Sequence, residues 1–390
     1  MTPNEVLMPG ETLGLMGGGQ LGRMFAQAAA TMGYHVAVLE PGKSCPAGEV
    51  SRDQIETKYD DEAGLSALAG KVKAVTTEFE NVPAPSLEYL EKAGLRVCPP
   101  SAAVAVTQDR NAEKHFVSEV AGVPVAPHAA IRSEADVDSL DASLLPGILK
   151  TARLGYDGKG QARVATVDDV RKAFRDFGGV DCVLEKRLSL KLEVSVIVAR
   201  NSHGETATFP VSENFHRNGI LAVSVLPARI DEETAARARG YAAQIAKALN
   251  YVGVLCVELF ILEDDTILVN ELAPRPHNSG HATIDACVTS QYEQQVRTMA
   301  GLPLGSTEQH SYAVMLNILG DEWFDENDVK REPDWAGVTA IPGAKLHIYG
   351  KADARRARKM GHVTCIGKTA EEAMERAREA ARILHLPEPN

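Results

Sequence analysis

Apolar positions along this chain fall in short blocks, bounded by glycine, proline and acidic residues, that read as buried strands. The first block, T-L-G-L-M at 12–16, runs into G-G-G-Q-L-G-R, a helical stretch and the strand H-V-A-V-L-E. Strand, glycine turn, helix and strand in that order predict a parallel α/β layer. A third strand, K-A-V-T-T-E-F-E, is expected to end in Glu78 and Glu80, and the polar segment after Pro99-Pro100 closes a first unit, 1–112. A helix over 112–121, the extended P-G-I-L-K-T-A, a glycine loop and D-C-V-L-E-K-R then form a small unit, 113–195. Residues 196–300 read as β-rich runs around one long helix, 232–249, with Asn250 as its C-cap. Within them, V-E-L-F-I-L-E-D-D-T-I-L-V predicts two strands joined by an acidic turn. After the linker G-L-P-L-G, the 301–390 segment holds short strands and a terminal helix over 370–384. The expected fold class is α/β, then α+β, then a small mixed β tail.

Length and charge narrow the picture. A chain of 390 residues exceeds the roughly 250 that a single core usually reaches, so several domains are expected. No apolar run approaches the roughly 18 residues of a membrane span, and the first ten residues lack the features of a signal peptide. They read as a short leader. The cysteines at 45, 98, 182, 256, 287 and 365 have no paired spacing, which predicts neither a disulfide framework nor a zinc site and fits a reducing cytoplasm. Cys256 and Cys287 read as core fillers. A net charge of -12 argues against a nucleic-acid partner, although a few local cations suffice for small anionic substrates. The basic stretch Lys351 to Lys359 reads, by itself, as solvated surface.

Three motifs carry candidate chemistry. Gly17, Gly19 and Gly22 have the spacing of a phosphate-binding turn at a helix N-terminus, with Glu40 ending the next strand. That spacing fits a nucleoside monophosphate as well as a dinucleotide, and nothing else in the chain supports hydride chemistry. Lys150 ends an apolar strand before R-L-G-Y-D-G-K-G-Q, where Gly155, Gly158 and Gly160 predict a flap over phosphates and Lys159 adds charge. The pattern is not a Walker-type loop. Glu258 and Glu271 stand thirteen residues apart on the two predicted strands and are expected to face one cleft. With Asn270 they are hard oxygen ligands suited to Mg²⁺. Arg275, His277, Asn278 and Ser279 follow, a set able to hold an anionic substrate beside that metal.

In this order, flap, hinge strand and Glu…Asn-Glu pair resemble the ATP-grasp superfamily. G-G-G-Q-L-G-R-M, T-T-E-F-E-N-V, Q-D-R, G-Y-D-G-K-G-Q, Y-V-G-V-L-C-V-E, N-E-L-A-P-R-P-H-N-S-G-H and R-K-M-G-H narrow the likeness to its purine-biosynthetic family that carboxylates aminoimidazole ribonucleotide. The likeness runs over about residues 12–363 and implies an ATP-grasp fold with a Rossmann-like first domain. It implies ATP contacts from Arg110, Lys150 and the loop Gly155, Tyr156, Asp157, Gly158, Lys159, Gly160 and Gln161. Further ATP contacts would come from the hinge Glu185, Lys186, Arg187 and Leu188, and from Glu193 and His216. Glu258 and Glu271 match the Mg²⁺ ligands, with Asn270 beside them. Gly19, Gln20 and Leu21 match a cradle for the substrate phosphate.

The same resemblance implies an imidazole and carboxylate site made by Glu80, Tyr156, Asp157, Arg275, His277 and Asn278, and cations at Lys351 and Arg358. Among these, Asp157 would orient the amine, while Arg275, His277 and Asn278 would serve the reacting centre. One departure stands out: the span from Lys351 to Arg358 is a residue longer than the family pattern, which leaves open whether Arg355 or Arg356 takes the middle cation's place. Bicarbonate would be the co-substrate, activated as carboxyphosphate, and the protein a cytoplasmic homodimer. Other readings are a formate-dependent glycinamide ribonucleotide transformylase or biotin carboxylase type of ATP-grasp ligase, or a nucleotide-binding regulator without catalysis.

Overall fold

A computed structural model of the protein describes residues 5–155 and 160–389. Its first sheet holds β1 (Thr12–Met16), β2 (His35–Glu40), β3 (Asp53–Glu56), β4 (Ala74–Thr77) and β5 (Arg96–Cys98). All run parallel, in the order β3-β2-β1-β4-β5, so the chain winds outward from a central β1 in both directions. The helix Gln20–Thr31 leaves the end of β1 and buries Leu21, Met24, Phe25 and Ala29 against Leu13 and Leu15.

The strand expected over 73–80 stops at Thr77. The Thr77 hydroxyl donates to the Phe79 carbonyl (2.9 Å) and accepts from the Phe79 amide (3.2 Å), closing a local turn that competes with the ladder. Glu78 and Glu80 therefore lie past the sheet, free to bond elsewhere. The helix expected over 112–121 starts at Arg110, because the Asp109 carboxylate caps it through the amides of Asn111 (3.0 Å) and Ala112 (3.2 Å). Beyond His115 it widens into a π-turn over Phe116–Val120. A second, antiparallel sheet follows: β6 (His128–Ile131), β7 (Gly147–Thr151), β8 (Gln161–Val164) and β9 (Cys182–Lys186), ordered β6-β9-β7-β8.

The third sheet comprises β10 (Leu190–Arg200), β11 (Thr206–Thr208), β12 (Ser212–Arg217), β13 (Ile220–Leu226), β14 (Gly253–Leu262), β15 (Ile267–Ala273), β16 (Tyr312–Leu319), β17 (Ala344–Ile348) and β18 (Lys359–Gly367). Its order is β15-β14-β10-β12-β13-β16-β18-β17, with β11 on β10, so the last three strands extend the same sheet past β13. Its two faces differ. Val194, Val196, Val198, Leu255, Val257 and Leu259 pack with Ala238, Ala242 and Ile245 of the helix Glu232–Ala248. Alternate positions, Glu193, Ser195, Cys256 and Glu258, take the opposite face. A polar row on otherwise apolar strands marks the side on which the cleft opens.

The helix Gln291–Ala300 was not foreseen. Its apolar residues Tyr292, Val296 and Met299 join the core of the first sheet, and Gln295 donates to Thr76 Oγ1 (2.8 Å) and the Cys98 carbonyl (3.0 Å). Gln291, Gln294 and Gln295 are all buried, so the sequence lacks the apolar period that announces a buried helix. This helix ties the first sheet to the strands that carry the two glutamates. The terminal helix, Ala370–Leu384, has the bounds expected.

Candidate active site

A cleft of about 720 Å³ opens where the polar face of the third sheet meets β7, the segment Arg110–Glu113 and the end of the first sheet. Glu193, His216, Glu258, Asn270 and Glu271 line it from the third sheet, and Arg275, His277 and Asn278 from the loop after β15. Glu80, Arg110, Lys150, Gly155 and Gln161 complete the predicted set along its walls. Tyr156, Asp157, Gly158 and Lys159 lie outside the described residues. Gly19, Gln20, Leu21, Lys186, Arg187, Leu188, Ser279, Lys351 and Arg358 are not among the lining residues, whereas Glu113 and Lys359 are.

Backbone geometry brings the metal candidates together. Glu258 sits directly opposite Glu271 across the β14–β15 ladder, and the next pair is Leu259 with Val269. Asn270 is therefore the extra residue of a β-bulge, a device that re-aims neighbouring side chains. Asn270 and Glu271, consecutive in sequence, both line the cleft. The bulge is clamped from the short helix Arg110–His115: Lys114 Nζ donates to the Asn270 carbonyl (2.5 Å), and Glu113 Oε2 accepts from the Leu272 amide (3.0 Å). Both clamping side chains are buried. Two charged residues in a six-residue helix carry no sequence signal of such a role.

Charges on the cleft walls are arranged in opposed pairs. Arg110 Nη1 lies 2.7 Å from Glu271 Oε2. Burial alone would push the Glu271 carboxyl up, but the Arg110 and Lys150 charges and the Arg110 hydrogen bond outweigh it and hold the group at about 2. Lys150 Nζ lies 3.0 Å from Glu185 Oε2, with Lys114 Nζ 3.6 Å from the other oxygen. Glu185 is thus buried behind the cleft as a counter-ion, and burial is again overcome by the two lysines, which lower its pKa. His216 Nδ1 lies 2.9 Å from Glu193 Oε2; burial disfavours its charge, but the bond to Glu193 raises its pKa.

On the opposite wall, Arg275 Nε donates to Glu80 Oε2 at 2.6 Å, and His277 Nε2 lies 3.1 Å from Glu258 Oε1. Burial disfavours the His277 cation, yet neighbouring Cys256 and Glu258 raise its pKa to about 10. Asn270 Oδ1 and both polar atoms of the Asn278 amide are buried without a protein partner. An unpartnered amide oxygen beside two carboxylates forms an oxygen set that suits a hard divalent cation.

In the basic stretch, Lys351 Nζ donates to the Lys359 carbonyl (2.5 Å), and Arg358 Nη1 donates to the Asp353 carbonyl (2.7 Å). Arg356 pairs with Asp328 and Asp321 and stacks on Phe324, while Arg355 is 73% exposed beside Asp353. Lys359 is the cation of this stretch that reaches the cleft lining. It is the second residue of R-K-M-G-H and the first of β18.

The Rossmann-like sheet, the antiparallel flap sheet and the carboxylate-bearing strands are the parts of an ATP-grasp enzyme. Residues 116–292 match the family described as the ATP-grasp domain, 10–108 the ribonucleotide synthetase preATP-grasp domain, and 313–376 the phosphoribosylaminoimidazole carboxylase C-terminal domain. The N5-carboxyaminoimidazole ribonucleotide synthase of Brucella melitensis is 47% identical over 363 residues, covering 92% of this chain and 97% of the relative. The solved structure of an N5-carboxyaminoimidazole ribonucleotide synthetase in complex with ADP superposes with a TM-score of 0.88 at 42% identity, covering 98% of each chain. The Aspergillus clavatus enzyme in complex with ADP and 5-aminoimidazole ribonucleotide gives 0.86 at 29% identity, covering 97% of this chain and 100% of the other. The chain belongs to the N5-carboxyaminoimidazole ribonucleotide synthase family.

Proposed function

We propose that the protein carboxylates the exocyclic amine of 5-aminoimidazole ribonucleotide, using ATP and bicarbonate and giving ADP and phosphate. The observation that carries this reading is the bulged Glu258–Glu271 pair opening on the same cleft as Lys150 on one side and Arg275 and His277 on the other. Glu258, Glu271 and the Asn270 amide oxygen would hold Mg²⁺, which neutralises nucleotide phosphate charge when bound.

The remaining work falls to the chain's own groups. Lys150, held by buried Glu185, presents a fixed positive charge to the phosphates, so little reorganisation is needed as the phosphoryl group moves. A bicarbonate oxygen takes the γ-phosphoryl group as ADP departs, converting hydroxide, a poor leaving group, into phosphate. Arg275 and His277 hold the oxyanions of this carboxyphosphate. The amine then attacks the carboxyl carbon, phosphate leaves, and the amine proton goes to phosphate. In this reading Asp157 orients the amine, and water, which would hydrolyse the intermediate, has to be excluded while it exists. Asn278, with both amide atoms unpartnered, offers a donor and an acceptor to the ribonucleotide.

The reading extends to Gly19, Gln20 and Leu21 on the substrate phosphate, and to a homodimer in the cytoplasm. The buried state of all six cysteines, each a free thiol, agrees with a reducing compartment. Phosphate release from ATP and bicarbonate tests the function: it should depend on 5-aminoimidazole ribonucleotide and not on glycinamide ribonucleotide with formate. Stimulation by the second acceptor instead would assign the chain a different ligase activity, and stimulation by neither would leave a nucleotide-binding regulator.

A further inference from the structure

One cluster at the wall of the cleft includes donors that magnesium chemistry does not need. Cys256 and Glu258 are two apart on β14 and so project from the same face of the strand. His277, from the loop after β15, comes over them, with Nε2 3.1 Å from Glu258 Oε1. One donor atom from each of Cys256, Glu258 and His277 lies within 4.8 Å of the other two, and no other such trio occurs among the described residues. We propose that Cys256, Glu258 and His277 form a binding site for a thiophilic divalent cation of the zinc class, whose occupancy excludes the hard cation of the catalytic cycle.

Donor chemistry sets the selectivity. Thiolate sulfur, imidazole nitrogen and one carboxylate oxygen are the ligands that zinc takes, with a fourth position left to water or substrate. The open side here is the cleft, which Glu258 and His277 both line. Magnesium, which demands oxygen ligands, gains nothing from the thiol.

The imidazole is also pre-oriented. His277 Nδ1 lies 2.9 Å from Ser279 Oγ, which accepts from the Ser195 hydroxyl at 2.7 Å. Ser195 Oγ in turn accepts from Asn214 Nδ2 (2.9 Å), and Asn214 Oδ1 accepts from Ser224 (2.7 Å). Ser195, Ser279, Asn214 and Ser224 are all buried. Nδ1 is met by the Ser279 hydroxyl (2.9 Å) and by the Ser279 amide (3.4 Å), which fixes the ring and leaves Nε2 facing the other donors. Paired cysteine spacing, the usual sequence sign of zinc, is absent because the third donor arrives through the fold. Glu258 belongs to both sets of ligands, so the two cations compete for one carboxylate.

Cobalt(II) titration of the full chain tests the site without relying on turnover. The wild-type protein should develop a thiolate-to-cobalt charge-transfer band that zinc abolishes and that saturating Mg-ATP weakens. Cys256→Ser should lose the band and bind zinc more weakly by roughly 100-fold or more, the upper end of what outer-shell partners alone cost. Circular dichroism of that variant reports whether it has folded. A wild-type protein with no charge-transfer band, or equal zinc affinity in folded Cys256→Ser, would overturn the proposal. Only the Mg-ATP arm rests on the proposed function: a band that zinc abolishes but Mg-ATP leaves unchanged would uphold the metal site and refute the competition. Should Cys256→Ser not fold, the wild-type band and its removal by zinc decide the matter.

Discussion

The glycine turn at residues 17–22 and the glutamate pair Glu258–Glu271 are both places where the fold prepares for charge, and they do so in opposite ways. In the turn, the amides that spacing alone would offer to a phosphate already have carboxylate partners. Gly18 N donates to Glu40 Oε2 (2.8 Å), while Gly19 N and Gly22 N donate to the two oxygens of Glu78 (2.6 and 3.0 Å). Burial raises the Glu78 pKa against these bonds. In the pair, Glu271 is met by Arg110, delivered from a distant part of the sequence, and Glu258 by His277 of the loop after β15. The turn is satisfied from within its own unit. Glu271 of the pair is satisfied across units, and both partners are groups that a bound cation would replace or rearrange. Spacing in a motif therefore reports what the backbone is able to bind, while the surrounding fold decides what is bound.

That contrast predicts that damage at the pair is catalytic and that damage at Gly18, whose amide is already held by Glu40, is structural. Glu271→Gln keeps the shape but removes the charge opposite Arg110, and it should lower acceptor-dependent phosphate release by roughly 100- to 1000-fold with an unchanged circular dichroism spectrum. Full turnover at saturating Mg²⁺ would refute the metal assignment.

Lys114→Met affects both properties. It removes the cation that clamps the Asn270 carbonyl and leaves the neighbouring charge of Glu185 less well compensated. The loss should be about 3 kcal/mol or more in urea unfolding, together with reduced turnover. Unchanged turnover in a folded protein would show that the bulge holds its shape unaided.

The companion clamp has a pH signature. Burial raises the Glu113 carboxyl to about 8 against the Lys114 and Arg110 charges, from an ordinary 4.5. A raised folded-state value means that the stabilising contribution is complete below 4.5 and is lost as pH climbs through about 8. Over that window the wild-type melting temperature should fall relative to that of Glu113→Gln. Parallel curves for the two proteins would contradict a buried, protonated Glu113.

The smallest effect is expected at the turn. A methyl group at Gly18 would meet the Cys45 side chain, with Cβ at 2.6 Å, and Glu40 Cγ at 2.9 Å. Gly18→Ala should cost about 1–3 kcal/mol of stability through overpacking. Per folded molecule, its turnover should stay within a small factor of wild type; a collapse of activity without loss of stability would extend the proposed phosphate cradle to Gly18.

Much of this was legible in the sequence, and the exceptions have physical causes. The strands of the glutamate pair and the terminal helix were readable because their apolar periods are clean and their turns carry acidic or glycine signals. The opposition of Glu258 and Glu271 was also within reach, since a short acidic turn fixes a hairpin's register. The bulge that turns Asn270 into the cleft was not, because it depends on Lys114 and Glu113 arriving from another unit. Helix 291–300 hid behind three buried glutamines whose partners, His277, Gly305 and Thr76, are supplied by the fold outside the helix. Lys359 was overlooked in favour of Lys351 and Arg358, since charge in a basic run says nothing about which side chain the strand will point inward.

The central claim is that one cleft passes phosphate from ATP to bicarbonate and then carboxylate to the ribonucleotide amine. Oxygen-18 in bicarbonate follows that path directly. During turnover with 5-aminoimidazole ribonucleotide, mass spectrometry should find one of the three bicarbonate oxygens in the released phosphate and the other two in the carbamate. Phosphate free of label, formed at the full rate of carboxylation, would contradict the account.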